Sequence, residues 1–444
     1  MNHSIPFALR ALLLASALAT TSTFFAADLR YQFGATKAPG GWVAIGPETK
    51  FSKALGYGFE PDARLSTATT KDATEKSAVV SDKPFYFSAK VPAEGNYRVK
   101  VTLGSPTAAA STLIKAELRR LMVEETTTAA GEFKTVEFIV NTRTPKIAPV
   151  GTIAAGEVKL KEPRETTKEA WAWDDLITLE FNGAHPAVAA VEITPAKVPT
   201  IFLIGDSTVC DQSAEPYASW GQMLPRFFKP EVAIANHAES GETYRDSIGR
   251  RRLDKILSVM QPGDYLLMQF GHNDQKQIAS KKGGPFTTYK AEIKQHVEAV
   301  RARGGVPVIV SPMERNSFAS ERKIKPTLTD YAEAARQSAH ELKAAFVDLN
   351  ALSIPFYEAL GQDRAYLAFA PNGKGDERDH THHDNYGAYE IAKCVVQGIK
   401  TAQLPIAAAI VDDFGTFDPA HPDNVDTFKL PPSPNFTNQR PLGD

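Results

Sequence analysis

Cysteine is scarce in this chain of 444 residues: there are two, Cys210 and Cys394. That excludes a dense disulfide scaffold and a four-cysteine zinc site. Whether the two pair stays open, because distance is not written in a sequence. An excess of charge of one sign is missing too. Lys and Arg number 50 against 52 Asp and Glu, a formal net charge of −2, which excludes a strongly basic nucleic-acid binder. Gly and Pro, at 29 and 30 residues, stand at ordinary levels, so collagen-like and low-complexity architectures are out. No apolar run reaches the roughly 20 residues that a membrane-spanning helix needs. What is there is a chain 43% hydrophobic and 23% charged. That is the composition of a packed core, and the length suits two or three domains at roughly 150 residues each.

The two ends read differently from the rest. Residues 1–27 carry His3 and Arg10 ahead of an apolar run from Ala11 to Ala19, with Ala17-Leu18-Ala19 as a small-x-small cleavage site. Those are the size and flanks of a secretory signal peptide, so the mature protein is expected to be exported, to the periplasm or outside the cell, with no membrane span. Residues 405–444 are rich in Pro, Asp and Asn and are expected to form an extended C-terminal tail on the surface.

Between the ends the periodicity changes once. Over 28–197 the chain alternates: Phe85 to Val91, Tyr97 to Leu103, Val136 to Val140 and Leu176 to Phe181 each place apolar residues two apart, and Ala187 to Ile193 can be a last strand. Alternation means one face buried and one solvated, and short strands between turns fit an all-β, jelly-roll-like sandwich. It is a candidate carbohydrate-binding module. Over 198–404 the apolar runs become continuous: Thr200 to Ile204, Val232 to Ala235, Tyr265 to Phe270 and Val306 to Val310, with Phe346-Val347-Asp348 as a fifth. Such runs are strands buried on both faces. Tyr289 to Arg303, Leu328 to Ala344 and Tyr386 to Ala402 have helical spacing between and after them. Strand–helix alternation predicts an α/β domain with a parallel sheet, whose ligands bind at the carboxyl ends of the strands.

Those ends carry polar residues. Gly205-Asp206-Ser207-Thr208 follows the first strand, Ser240-Gly241-Glu242-Thr243 the second and Gly271-His272-Asn273-Asp274 the third, and Asp379-His380-Thr381-His382 stands near the end of the domain. A serine hydroxyl is a weak nucleophile until a base takes its proton. A histidine can be that base, and a carboxylate can hold its orientation. Asp379 and His382 are close enough in sequence for one turn of chain to join them. A tetrahedral oxyanion needs preorganised donors, which the backbone N–H groups of Ser207 and Gly241 and the Asn273 amide can supply.

These four blocks, in this order, resemble the SGNH or GDSL-type hydrolases, and within them the rhamnogalacturonan acetylesterases. The resemblance covers roughly 199–402. It implies a flavodoxin-like sheet and metal-free ester hydrolysis without a cofactor. It also implies removal of acetyl groups from acetylated polysaccharide of the plant cell wall, pectin above all. Ser207, Asp379 and His382 are then the catalytic residues, and Ser207, Gly241 and Asn273 the oxyanion hole. An esterase for xylan or another hemicellulose and a catalytically dead sugar binder are the alternatives. One departure is Glu242, where the family often has Arg.

Other residues have two readings. Asp206 reads as a loop stabiliser. Ser247 follows no strand and fails as a nucleophile elbow. Asp379, His380, His382, His383 and Asp384 could ligate a metal, but they crowd one short loop and no His-Glu-x-x-His helix accompanies them; the expectation is no metal. Arg250, Arg251 and Arg252 read as a solvated helix start, with attraction of a polyuronate chain as the rival. Trp171 and Trp173 are either sugar platforms or core. All four blocks lie after Pro199, so the strand-rich half is expected to stay outside the catalytic machinery. The oligomeric state is not readable.

Overall fold

The computed structural model describes residues 28–435 apart from 62, 71–76, 282 and 373–376, together with Met1 and Thr437. The signal peptide expected over residues 1–27 therefore lies, but for Met1, outside the described residues.

The alternating half forms two sheets. In one, Gly95–Leu103 lies between Lys134–Thr142 and Ala187–Pro195. Leu29–Phe33 and Val43–Ile45 follow in order, and Ser77–Val80 and Ser66–Thr69 extend the sheet from Ala187–Pro195. All of its pairings are antiparallel except that of Leu29–Phe33 with Val43–Ile45. The other sheet runs Tyr57–Phe59, Phe85–Lys90, Leu176–His185, Ala110–Ala116, Arg120–Thr128, antiparallel throughout. Phenylalanines fill the space between the sheets. Phe33 of the first packs on Phe59 and Phe87 of the second at ring-centroid distances of 5.6 and 5.0 Å, edge-on or tilted, as aromatic quadrupoles prefer.

In the second half the continuous apolar runs become a five-stranded parallel sheet. Its strands are Thr200–Gly205, Ala233–Asn236, Tyr265–Gln269, Val306–Val310 and Ala345–Val347, and their order is second, first, third, fourth, fifth. This is the flavodoxin-like order, and its switch point lies between the first and third strands. Every residue of those two strands is buried, because helices cover both faces. Lys290–Ala302 and Thr329–Leu342 pack on one face, through Ile293, Val297, Val300, Tyr331 and Ala335. Asn385–Thr401 packs on the other through Ile391, Val395 and Ile399. No helix among the described residues is long and apolar enough to cross a membrane.

Among the described residues after Leu404 the helical elements are two short 3-10 turns, Pro405–Ala409 and Asp412–Phe414. Most of the described residues of this tail are exposed or half-buried, and it is anchored where Ile406, Ile410, Phe417 and Ser433 are buried. Near its end it runs through the seam between the two halves. Lys115 of the strand-rich half donates to the Pro431 carbonyl at 2.9 Å and to Ser433 Oγ at 2.8 Å. Its ammonium lies 3.9 Å from Glu180 and 3.8 Å from Glu215. Arg119 pairs with the same Glu215 at 2.6 Å. Burial pulls the Lys115 pKa down, and the two carboxylates act against that pull.

Candidate active site

The first, second and third parallel strands end where the polar blocks begin. Ser207 stands two residues past the first strand and is 1% exposed. The loop around it is held by Asp206, whose Oδ1 accepts from the Thr208 backbone N–H at 2.9 Å and from Thr208 Oγ1 at 2.7 Å. Asp206 is thus the loop stabiliser the sequence predicts, and its other oxygen lies 3.3 Å from His272 Nδ1.

His382 Nε2 is 2.8 Å from Ser207 Oγ, and His382 Nδ1 is 2.9 Å from Asp379 Oδ2. Asp379 Oδ1 accepts from the backbone N–H groups of Thr381 and His382 at 2.8 and 3.0 Å. The carboxylate is therefore anchored on one oxygen and orients the imidazole with the other. The block lies on a strand, Arg378–His383, paired with Phe369–Pro371, not on one turn of chain. The Asp379 side chain folding back onto its own backbone closes the gap.

The remaining blocks are joined to this chain of bonds. The Glu239 N–H donates to the Gly205 carbonyl at 3.1 Å, fixing the glycine turn to the end of the first strand. Gly241 has φ +74°, a left-handed conformation that a side chain would strain. Asn273 Nδ2 donates to the Glu242 carbonyl at 3.2 Å, and its Oδ1 accepts from Lys276 Nζ at 3.0 Å. The amide is thereby turned with its NH2 toward the glycine turn. Ser207, Gly241, Asn273, Asp379 and His382 accordingly meet at one rim of the sheet.

The neighbouring histidines do other work. His383 is buried, stacks on Phe369 at 4.5 Å and bonds Tyr357 Oη at 2.9 Å. Burial, then the adjacent His382, pushes its pKa down to about 3. A Cβ on Gly387 would come within 2.5 Å of its ring and 2.0 Å of the Ala368 carbonyl, which is why a glycine stands there. His380 points elsewhere, bonding the Asn316 carbonyl at 2.8 Å. No cluster of three or more metal-ligating side chains occurs among the described residues. Ser247 also touches a histidine, His296, at 2.9 Å, but both are fully buried and the serine hydroxyl donates to the Tyr244 carbonyl of its own helix.

Neutral His383 makes the fold acid-sensitive. An unfolded histidine titrates near 6.5, so between that pH and about 3 the unfolded chain holds the extra proton and stability rises with pH. The stabilisation is complete above about pH 6.5 and is lost on acidification, by up to ~1.4 kcal/mol per pH unit. Thermal denaturation at several pH values between 7 and 4.5 should show a shallower decline for His383→Gln than for the parent protein. Equal slopes would mean that His383 is not the group responsible.

Other residues singled out in the sequence take definite places, and the arginine run departs from its expected setting. Arg252 is not solvated. It is 1% exposed and pairs with Glu165 of the strand-rich half at 2.5 Å. Arg250 reaches Glu242 at 3.2 Å, and Arg251 donates to the Ala154 carbonyl at 2.6 Å. Trp173 is core, its indole N–H on Glu165 at 3.0 Å and the Arg143 guanidinium 4.5 Å over its ring. Trp171 is half-buried against Tyr86. Cys210 and Cys394 are both free and buried, and burial raises both thiol pKa values. Glu242 is fully buried and faces Lys161 at 2.9 Å. The strand-rich half, expected to stay outside the catalytic machinery, nevertheless touches the site, because Lys161 and Arg164 bond to the glycine turn. Their partners lie 79 and 76 positions away, and no local signal in the sequence marks them.

A parallel sheet with a serine, a histidine and an aspartate in one chain of bonds at its carboxyl rim is a framework for acyl transfer, and the protein is a carboxylic ester hydrolase. It belongs to the GDSL-like lipase/acylhydrolase family, whose model matches residues 203–382, the span that holds all five rim residues. Over 224 residues it is 35% identical to the rhamnogalacturonan acetylesterase RhgT of Bacillus subtilis (strain 168), covering 48% of this chain and 95% of that one. Over 387 residues it is 25% identical to the uncharacterized esterase YxiM of the same organism, covering 84% of this chain and 90% of that one. The crystal structure of the Bacillus subtilis protein YxiM aligns with a TM-score of 0.44 at 23% identity, over 85% of this chain and 99% of that one.

Proposed function

We propose that the protein is an exported acetylesterase that removes acetyl groups from plant cell-wall polysaccharide, with acetylated rhamnogalacturonan as the substrate. The observation that carries the chemistry is the continuous chain Ser207 Oγ–His382 Nε2, 2.8 Å, and His382 Nδ1–Asp379 Oδ2, 2.9 Å. Ser207 Oγ attacks the acetyl carbonyl while its proton passes to His382 Nε2, and Asp379 steadies the imidazolium. The oxyanion is received by the Ser207 N–H, the Gly241 N–H and the Asn273 amide. Collapse breaks the bond to the sugar oxygen, which takes the proton from His382 and leaves as an alcohol. Water then attacks the acetyl-enzyme with His382 as base, releasing acetate and restoring Ser207.

The named function of RhgT supports the substrate. We read 28–197 as a separate module and 198–404 as the catalytic domain. Acetate release from acetylated rhamnogalacturonan, compared with acetylated xylan at equal acetyl concentration, tests the substrate. Faster release from xylan overturns the pectin reading while leaving the chemistry intact. Because every proton transfer passes through His382, dialysis against EDTA should leave the rate within twofold. Activity lost to chelation and restored by zinc would contradict that mechanism.

A further inference from the structure

The peptide group that joins Ser240 to Gly241 has two ends. Its N–H belongs to Gly241, one of the three oxyanion donors of the reading above, on which this inference rests. Its carbonyl oxygen accepts a hydrogen bond from Lys161 Nζ, a residue of the strand-rich half. A peptide group is planar and trans, so whatever fixes the direction of its C=O fixes the opposite direction of its N–H. An ammonium on the oxygen also draws electrons from the nitrogen end and makes the N–H a stronger donor, as in any polarised chain of hydrogen bonds.

The rest of the contact reinforces the same turn. The Lys161 ammonium is held on its other side by Glu242 at 2.9 Å. Arg164, three residues on, donates to Ser240 Oγ at 2.9 Å and reaches Gln212 Oε1 at 3.5 Å. Gln212 Nε2 in turn donates to the Ser207 carbonyl at 2.8 Å. Burial works against the Arg164 cation, but Glu239 and Glu169 outweigh it and hold its pKa above the ordinary value, so Arg164 stays charged. One short stretch of the strand-rich half thus bonds the glycine turn directly and reaches the nucleophile loop through Gln212.

We propose that Lys161 is a positioning residue for ester hydrolysis: it orients and polarises the Ser240–Gly241 peptide so that the Gly241 N–H meets the developing oxyanion, with Arg164 bracing the turn. The strand-rich half then completes the catalytic site instead of only accompanying it.

Lys161→Met keeps the aliphatic stem and removes the donor. With 4-nitrophenyl acetate its kcat should fall about tenfold or more, part of the hundred- to thousandfold that a whole oxyanion donor is worth, while KM stays within about twofold. Reaction with a serine-directed phosphonate, which builds charge on the same oxygen, should slow in proportion. Lys161→Arg, which keeps the cation, should recover most of the loss. Arg98→Ala removes a contact between the halves far from the turn, Arg98 to the Pro230 carbonyl at 3.0 Å, and should leave kcat unchanged. A folded Lys161→Met enzyme with undiminished kcat overturns the proposal. So does an equal loss in Arg98→Ala, which would make the effect one of general loosening. If Lys161→Met does not fold, Arg164→Lys, too short and too narrow to hold Ser240 and its acidic partners together, is read by the same kcat and phosphonate ratio, and no change in it also overturns the proposal. Asn273→Ala in the same assay separates the two levels. If it keeps full kcat, the oxyanion reading itself fails; if it loses kcat and the Lys161 and Arg164 variants do not, only this inference falls.

Discussion

Ser207→Ala should abolish acetate release while leaving a folded protein. Removing the nucleophile from a known serine hydrolase lowers turnover by about six orders of magnitude, and a loss on that scale is expected here. The substitution deletes one oxygen from a buried site. The loop keeps its form because Asp206 and Thr208 hold it, and neither touches the deleted atom. His382 loses its contact at Nε2 but keeps Asp379 at Nδ1. The melting temperature should therefore change by a few degrees at most, and labelling by a serine-directed phosphonate should disappear. A soluble, folded variant that releases acetate within tenfold of the parent rate would falsify the assignment of the nucleophile.

Asn273→Ala should cost the next largest amount. Oxyanion charge is greater in the transition state than on the ester carbonyl, so a lost donor lowers turnover more than binding, typically by about a hundred- to a thousandfold. An amide has two N–H donors; in Asn273 one is given to the Glu242 carbonyl, and the second remains for the substrate. Asn273→Asp should be at least as damaging. It has no donor for the oxyanion, and it sets a carboxylate against the Glu242 carbonyl that now accepts from the amide. Steady-state kinetics with a small acetyl ester decide the matter. Unchanged kcat with a raised KM would assign Asn273 to ordinary substrate binding.

The catalytic sheet was open to reading because its signal is local. Thr200–Gly205 and Tyr265–Gln269 are uninterrupted apolar runs, and each is followed at once by the polar residues that the fold delivers to the rim. Short strands such as Val43–Ile45 and Tyr57–Phe59 hold too few residues for any periodicity to show. The charged seam was illegible for a different reason. Arg252 looks like a solvated residue in a basic run, and carboxylates from elsewhere make its burial tolerable: Glu165, 87 positions earlier, and Glu242. Burial of a charge depends on what faces it, and facing residues come from distant parts of the chain. Glu242 shows the same thing at the site itself. It stands where the family often has Arg, and what it meets is a cation from the other half of the molecule.

The seat of residues 431–433 also sets a timetable. Lys115 and Ser433 are 318 positions apart. At about 5–20 residues per second of synthesis, the lysine waits roughly 15–60 s for the serine that will cover it. The described strands of the strand-rich half end at Pro195, so the Pro431 carbonyl and Ser433 hydroxyl that take up Lys115 come from a far later part of the chain. Closure of the seam is therefore tied to residues 431–433, and a chain cut short before them leaves the buried Lys115 ammonium between two carboxylates without the carbonyl and hydroxyl that now accept from it.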